Sequence, residues 1–574
     1  MKNVFLSVLL SIGLTSCSYG QGASSSVWPL GGDPATRKLS MTLSIIENFY
    51  VDTINKDKMA DEAIVFLLQK LDPHSEYMTA EEIKAMNEPL QGNFDGIGIQ
   101  FNMLTDTLYV VQVLSGGPSE RVGLMVGDRI ITVNDSLIAG VGMKNTDILP
   151  ILRGKKGTIV RIQVKRGNEL IPFTIVRDKI PLYSLDASYM LDKETGYIAL
   201  NRFGETTYSE FMKALHELQE QGMKNLILDL QYNGGGYLNV PVEIANEFLK
   251  RGNLIVYTEG VNQRRKDDHA TTKGSFEDGK LIVLINESSA SASEILSGAV
   301  QDWDRGVIVG RRSFGKGMVQ RILPLPDGSA IKLTTAYYYT PSGRSIQKPY
   351  EKGNSEAYNM DVINRYNRGE MMSADSIHFP DSLKYTTLIN KRTVYGGGGI
   401  MPDYFVPLDT TYYTDIYRAL VASGSISRIA MTYIDNNRAA LKEKYPDFAA
   451  FKSKFNVSEE MLKELLSLYE VESKNSKNTP IMNRIEGEPV LPENLADVDD
   501  ESVSPEEMVA LDQKSLQDFQ KSTPLVQLQI KALIARDLWD MNEYYQIINQ
   551  ENPVLKKAIE IIKNTKEYNK LLEK

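Results

Sequence analysis

The chain is 574 residues long, 42% hydrophobic and 24% charged, with a net charge of −10 at neutral pH and a pI of about 5.3. That length holds roughly three or four domains, and an acidic balance without a basic stripe excludes nucleic acid as an expected partner. A single cysteine excludes a disulfide framework. Beyond the first residues no run approaches the roughly 20 apolar residues that cross a bilayer.

At the start, Lys2 is followed by an apolar core at residues 4–14 and then by Leu14-Thr15-Ser16-Cys17, the layout of an export signal. The last four residues resemble a bacterial lipobox. This implies a lipoprotein signal segment over residues 1–17, with Cys17 lipidated and the chain anchored to a membrane of the cell envelope, facing the periplasm. Residues 18–34, rich in Gly and Ser, read as a flexible tether. An N-terminal helical region follows over residues 35–88. Apolar positions recur at helical spacing in 40–55 (Leu43, Ile46, Phe49, Tyr50) and 58–71 (Ile64, Phe66, Leu67, Leu68), and Leu71-Asp72-Pro73-His74-Ser75 ends the second helix at Pro73.

Residues 89–178 carry Asp95-Gly96-Ile97-Gly98-Ile99, a β-branched run at 108–113, the segment GGPSERVGLMVGDRI, and a closing alternation near 158–164. Together these resemble a PDZ domain, an inserted β-sandwich. The resemblance implies that Gly96, Ile97, Gly98 and Ile99 offer backbone N–H groups to a peptide's terminal carboxylate, while the ligand extends the sheet edge and its apolar last residue enters a pocket.

The most informative stretch is LIVLINESSASASEILSGAVQDWDRGVIVGRRSFGKGMVQ. The apolar run 281–285 reads as a strand, and a small-residue cluster leads to an amphipathic helix with Ile295, Leu296, Ala299 and Val300 on one face. Ser291 therefore sits at a strand-to-helix turn. A second strand at 306–310 leads to Phe314-Gly315-Lys316-Gly317, after which Lys316, Met318 and Gln320 alternate and would share one face of a strand. A serine hydroxyl needs a neighbouring base, and a lysine serves only when burial lowers its pKa from about 10.4. Upstream, residues 225–230 (NLILDL) form a buried-strand pattern running into Gln231-Tyr232-Asn233-Gly234-Gly235-Gly236, a loop able to present N–H groups to an oxyanion.

SASASEI, QDWDRGVIVG and FGKGMVQ resemble the C-terminal processing (tail-specific) proteases, serine endopeptidases with a Ser-Lys dyad. The resemblance implies Ser291 as nucleophile, Lys316 as general base and Gln320 orienting the lysine. The N–H groups of Ala292 and Gly235 are the expected oxyanion hole, with Gly236 the nearest competitor. Gln231 stands where this family usually has an arginine, and the LDPHS segment has a counterpart in it. Glu294 and Asp302 are read as solvated or structural. None of His74, His216, His269 and His378 lies in a nucleophile-base motif, and no cofactor or metal is expected.

The implied fold is multidomain α/β. An α+β protease core with a crotonase-like or ClpP-like sheet spans 179–407, with a polar, unreadable insertion at 348–391. A helical region follows over 408–574, with helices at 415–422, 459–469 and 525–572 around an acidic loop at 472–507. Leu528, Ile530, Leu533, Ile534, Leu538 and Trp539 are read as its core. The partners implied are protein substrates with free, apolar C-termini, the membrane through the anchor, and an adaptor or second copy through the helical tail. Two alternatives compete. One is a non-catalytic PDZ scaffold; the other is a penicillin-interacting acyl transferase using the S-x-x-K match Ser313–Lys316, although Gly315 disfavours the helix that motif needs.

Overall fold

The computed structural model describes residues 33–476 and 505–573, apart from 105 and 115. The expected signal segment, Cys17, nearly all of the tether and most of the acidic loop lie outside the described residues. The chain divides into two units, Met1–Leu67 and Leu68–Lys574.

In the smaller unit, helix Pro34–Phe49 begins earlier than the apolar spacing suggests. Asp33 caps it, its carboxylate accepting the Thr36 N–H at 2.9 Å, and Pro34 pre-sets the first turn. Leu39, Met41, Ile45 and Phe49 are exposed on it. Helix Lys56–Gln69 follows. Among the described residues no helix is long and apolar enough to cross a membrane.

The larger unit begins with the LDPHS turn. Its PDZ-like module is an insertion: strand Asn93–Gly96 pairs antiparallel with Asp178–Pro181, so the chain enters and leaves side by side. Between them lies a sheet in the order Ile99–Leu104, Thr107–Val113, Arg129–Val133, Ile159–Arg166, Glu169–Val176, around a core that includes Ile97, Ile99, Ile148 and Leu152.

The body of the molecule is a six-stranded sheet in the order Leu185–Met190, Thr195–Leu200, Asn225–Asp229, Leu281–Ile285, Val307–Gly310, Tyr404–Phe405. Only the first pair is antiparallel. Strand Leu281–Ile285 is buried at every position, as parallel strands covered on both faces must be. Helices Thr207–Glu220, Asn239–Asn246 and Ala292–Asp302 cover one face, and their apolar stripes meet the sheet there. The second face is covered from the far end of the chain, by Pro553–Lys563 and Thr565–Glu573, through Val554, Leu555, Ala558, Ile561, Ile562 and Tyr568. The last helices are thus part of the sheet's packing, although the helical tail reads as an appendage in sequence.

A second sheet pairs Ala330–Tyr339 with Glu76–Met78, Leu254–Gly260 and Met318–Pro324. The tail otherwise forms its own core around Ile426, Ile434, Phe451, Val526, Ile530 and Ile534. Helices Ser425–Lys444 and Phe448–Lys454 add to those expected, and the long C-terminal pattern is broken into Pro505–Leu538, Met541–Ile548, Pro553–Lys563 and Thr565–Glu573. Asp540 and Asn552 cap the second and third of these. The PDZ-like sheet touches this tail where Tyr109 and Val111 meet Met431.

Candidate active site

Strand Leu281–Ile285 ends in a tight turn, and Ser291 takes φ +54°, ψ −109° immediately before helix Ala292–Asp302. A non-glycine residue in that region costs about 1–3 kcal/mol and persists where the surroundings impose it. Gly235 explains part of the imposition. It holds φ +109°, and a Cβ there would lie 2.8 Å from the Ser291 Cβ, so the glycine loop packs directly on the nucleophile turn.

Glu294 joins the two halves of the site. It is fully buried, and its carboxylate accepts the N–H of Ser291 (2.8 Å), the hydroxyl of Ser313 (2.6 Å), the N–H of Gly315 (2.7 Å) and the N–H of Lys316 (2.9 Å). Of the two readings of Glu294, solvated or structural, this selects the structural one. The available signal was the S-x-x-E spacing of Ser291 and Glu294, a capping box. Burial outweighs the four hydrogen bonds and pushes its pKa up to about 7. The Tyr338 hydroxyl adds a second tie, lying 3.1 Å from the Ser291 carbonyl and 2.5 Å from that of Lys316. Asp302 is not solvated either: it is fully buried and paired with Arg344 at 2.8 Å.

Lys316 lies in the irregular segment before strand Met318–Pro324. Its pKa is lowered to about 8, chiefly by desolvation and then by the positive charge of Lys332, while Glu76, Glu294 and Asp72 act in the opposite sense. The lowered pKa raises the neutral, proton-accepting fraction of the amine, which becomes the major form above about pH 8. His74 stays neutral for the same reason, its pKa lowered to about 4 by burial and then by Lys316.

Gln320 departs from expectation. A bulge between Val319 and Gln320 breaks the alternation that would have aligned it with Lys316. Its amide donates to Thr334 Oγ1 at 3.2 Å, and Thr334 donates to Asp72 Oδ1 at 2.9 Å. Among the described residues it makes no hydrogen bond to Lys316. Asp72, from the LDPHS turn, also accepts from the His74 N–H, the Ser75 N–H and the Ser75 hydroxyl, so that turn braces the wall beside the lysine as well as ending a helix.

Of the two expected oxyanion donors, the Ala292 N–H makes no hydrogen bond among the described residues. That of Gly235 is already donated to Asn233 Oδ1 at 2.9 Å. In this arrangement Gly235 is therefore not an open donor, and Gly236, whose N–H makes no hydrogen bond among the described residues, holds φ +152° against the Phe203 backbone. Gln231 accepts from Asn552 Nδ2 at 3.2 Å, which ties the loop to the tail.

The S-x-x-K reading fails on geometry. Ser313 is fully buried, outside any helix, and its Oγ both donates to Glu294 and accepts the Ile400 N–H at 2.6 Å. The polar insertion proves informative: Arg365, 2% exposed, donates to the carbonyls of Ser313 (2.9 Å) and Arg312 (2.7 Å), clamping the lysine segment from behind. In the PDZ-like module, Gly98 takes φ +79° and its carbonyl accepts the Leu114 N–H, while Ile97 accepts from Ser119, both at 3.0 Å. Strand Ile99–Leu104 beyond it is a sheet edge. Among the described residues no group of three His, Cys, Asp or Glu side chains is placed to hold a metal.

Residues 194–353 match peptidase family S41, residues 96–176 match the PDZ domain, and residues 416–484 match a family of unknown function. The carboxy-terminal-processing protease of Bartonella bacilliformis is 37% identical over 305 residues, 52% of this chain and 69% of that protein. A probable CtpA-like serine protease of Staphylococcus epidermidis is 34% identical over 314 residues, 54% of this chain and 63% of that one. Among solved structures, the photosystem II D1 C-terminal processing protease is 27% identical with a TM-score of 0.32, over 54% of this chain and 84% of that chain. Over its PDZ domain and protease core, the chain belongs to peptidase family S41, with the carboxy-terminal-processing serine proteases.

Proposed function

We propose that the protein is an envelope endopeptidase in which Ser291 attacks the substrate carbonyl, Lys316 takes the serine proton, and the Ala292 N–H receives the developing oxyanion. The single observation that carries this reading is the buried Glu294 carboxylate, which holds the Ser291 N–H and the Lys316 N–H on one side chain. The depressed lysine pKa supports it. Gln320 acts at one remove, by fixing Thr334 and Asp72 beside the lysine. The loop 96–99 and the edge strand behind it support capture of a free, apolar C-terminus, with the carboxylate on backbone N–H groups. The Leu-Thr-Ser-Cys sequence supports lipid attachment at Cys17 and a location at the membrane, facing the periplasm; mass spectrometry of the N-terminus tests it.

The central experiment pairs free-acid and C-terminally amidated versions of one peptide with wild type, Ser291→Ala and Lys316→Arg. Both variants are expected to be inactive, since a guanidinium stays charged. Amidation should lower kcat/KM about tenfold or more, because each charge-assisted bond contributes roughly 1.5–3 kcal/mol. Full activity in Ser291→Ala overturns the nucleophile; equal kcat/KM for the two peptides overturns C-terminal capture.

A further inference from the structure

The glycine loop has two ends with different surroundings. Gly235 packs on Ser291, whereas Gln231 and Tyr232 line a cavity of about 430 Å³ between the carboxyl ends of the main sheet and the helical tail. Tyr232 holds φ +63°, is 71% exposed, and donates its N–H to Asn286 Oδ1 at 3.0 Å, just ahead of the nucleophile turn. From the tail, Tyr412, Tyr413, Leu525, Leu528 and Tyr544 face the same space. The walls formed by Tyr412, Leu525, Leu528 and Glu551 are shared with a second cavity of about 340 Å³. A path therefore leads from the active-site loop outward along the tail.

We propose that this path is an accessory substrate site that holds an uncharged, aromatic- or aliphatic-rich stretch of the polypeptide being cleaved, beyond the residues next to the scissile bond. Three observations select that occupant. The loop that packs on the Ser291 turn at Gly235 also lines the site at Gln231 and Tyr232, so one short loop joins the site to the nucleophile turn. Two adjoining cavities suit an extended chain better than a compact ligand, each within the range of roughly 300–1,000 Å³ typical of binding sites. The charge is predominantly negative: Asp186, Asp229, Asp409 and Glu551 line the path, against Lys531, which donates to the Lys452 carbonyl at 2.8 Å, and Arg311, which is committed to Glu287 at 2.7 and 3.2 Å. Anionic segments are repelled, and tyrosine rings with amide side chains pair with apolar residues and peptide groups. Because the tail supplies one wall, this specificity belongs to the tail-bearing chain and not to the protease core alone.

The proposal rests on the reading of the protein as a Ser291 endopeptidase, and the test separates the two. Two peptides share one cleavage site and one apolar C-terminus, and differ in a four-residue segment placed several residues from the cut, Phe/Leu-rich in one and Asp/Ser-rich in the other. A small activated ester reports on Ser291 alone. Wild type should prefer the Phe/Leu peptide by about tenfold in kcat/KM. Tyr412→Ala with Leu528→Ala should remove that preference through KM, leaving ester turnover and the Asp/Ser peptide unchanged. In full-length Ser291→Ala, a photoreactive benzoyl-phenylalanine in the segment should crosslink to residues 408–417 or 524–531. Ester turnover without any preference between the peptides, or crosslinking confined to the PDZ module, overturns the proposal. Absence of Ser291-dependent ester turnover overturns the underlying function instead.

Discussion

Replacing Glu294 by Gln separates the positioning of the two reactive groups from the stability of the fold. One carboxylate oxygen accepts from Ser313 and Gly315, the other from Ser291 and Lys316. An amide has one acceptor oxygen, so one of these pairs must face an NH2 group. Two donors left without an acceptor cost about 2–6 kcal/mol. Against this stands a gain. A buried acid whose pKa rises from 4.5 to about 7 gives stability that is full below 4.5 and lost as pH rises to about 7; the loss is about 3 kcal/mol, which the neutral amide recovers. The two effects nearly cancel, so Glu294→Gln is expected to fold at pH 8 with an unfolding midpoint near that of wild type. Activity has no such compensation: either the Ser291 turn or the lysine segment relaxes, and a misplacement of about 1 Å costs on the order of a hundredfold. The assay is kcat/KM on a peptide together with the rate of labelling by an activated serine reagent. Glu294→Asp, which keeps the charge but cannot span both segments, should fall between wild type and Gln. Wild-type kcat/KM in a folded Glu294→Gln protein would refute the reasoning.

Three further outcomes are expected. The ascending, acid-side limb of the pH profile should rise through about 8, where Lys316 loses its proton, and Lys332→Gln should move it to higher pH, because Lys332 is the largest charge lowering that pKa; an unmoved limb in a folded variant would show that another group sets it. A lysine with a lowered pKa contributes stability that is full above 10.5 and lost as pH falls through about 8, so at pH 7 Lys316→Met should be inactive yet more stable by about 3 kcal/mol in denaturant titration, and a loss of stability would contradict the desolvation. Removing residues 553–573 should abolish soluble, active protein, with Leu555→Ala a milder case costing about 2–5 kcal/mol; a truncated chain that still turns over an activated ester would make the tail dispensable to the sheet.

The reactive serine and lysine are legible in the sequence because both lie in one stretch whose strand, turn and helix signals are local. What Gln320 touches is not legible, since a one-residue bulge changes which side a strand residue faces and leaves no mark in the residue types. The same holds for Gly235: its glycine identity reports the close approach to Ser291, but the direction of its N–H depends on where Asn233, a neighbour two residues away, points its side chain. Whether Glu294 is solvated or structural is open in the sequence, because a carboxylate on a helix is usually solvated. Its burial follows only once Ser313, Gly315 and Lys316 are brought over it, and those are sequence-distant contacts. Arg365 was hidden for a related reason: a polar insertion has no apolar period, yet a buried guanidinium holding two carbonyls needs none.

The helices at the end of the chain show how a physical rule can recover what pattern alone misses. Residues 226–230 and 281–285 are apolar on both sides of their strands, and such strands cannot leave one face in water. The helices that flank these strands in the chain, Thr207–Glu220, Asn239–Asn246 and Ala292–Asp302, all fall on one face. A second layer is therefore demanded by the strands themselves, and within the core region no further amphipathic helix of sufficient length remains to supply it. Pro553–Lys563 supplies it with Val554, Leu555, Ala558, Ile561 and Ile562, and the Tyr568 hydroxyl closes the start of the central strand, lying 3.1 Å from the Leu281 N–H and 3.2 Å from its carbonyl. The preceding residue Asn552 holds Gln231 of the active-site loop. The segment that completes the sheet thus also sets one end of the loop that packs against the nucleophile, which ties the tail to the chemistry by two bonded steps.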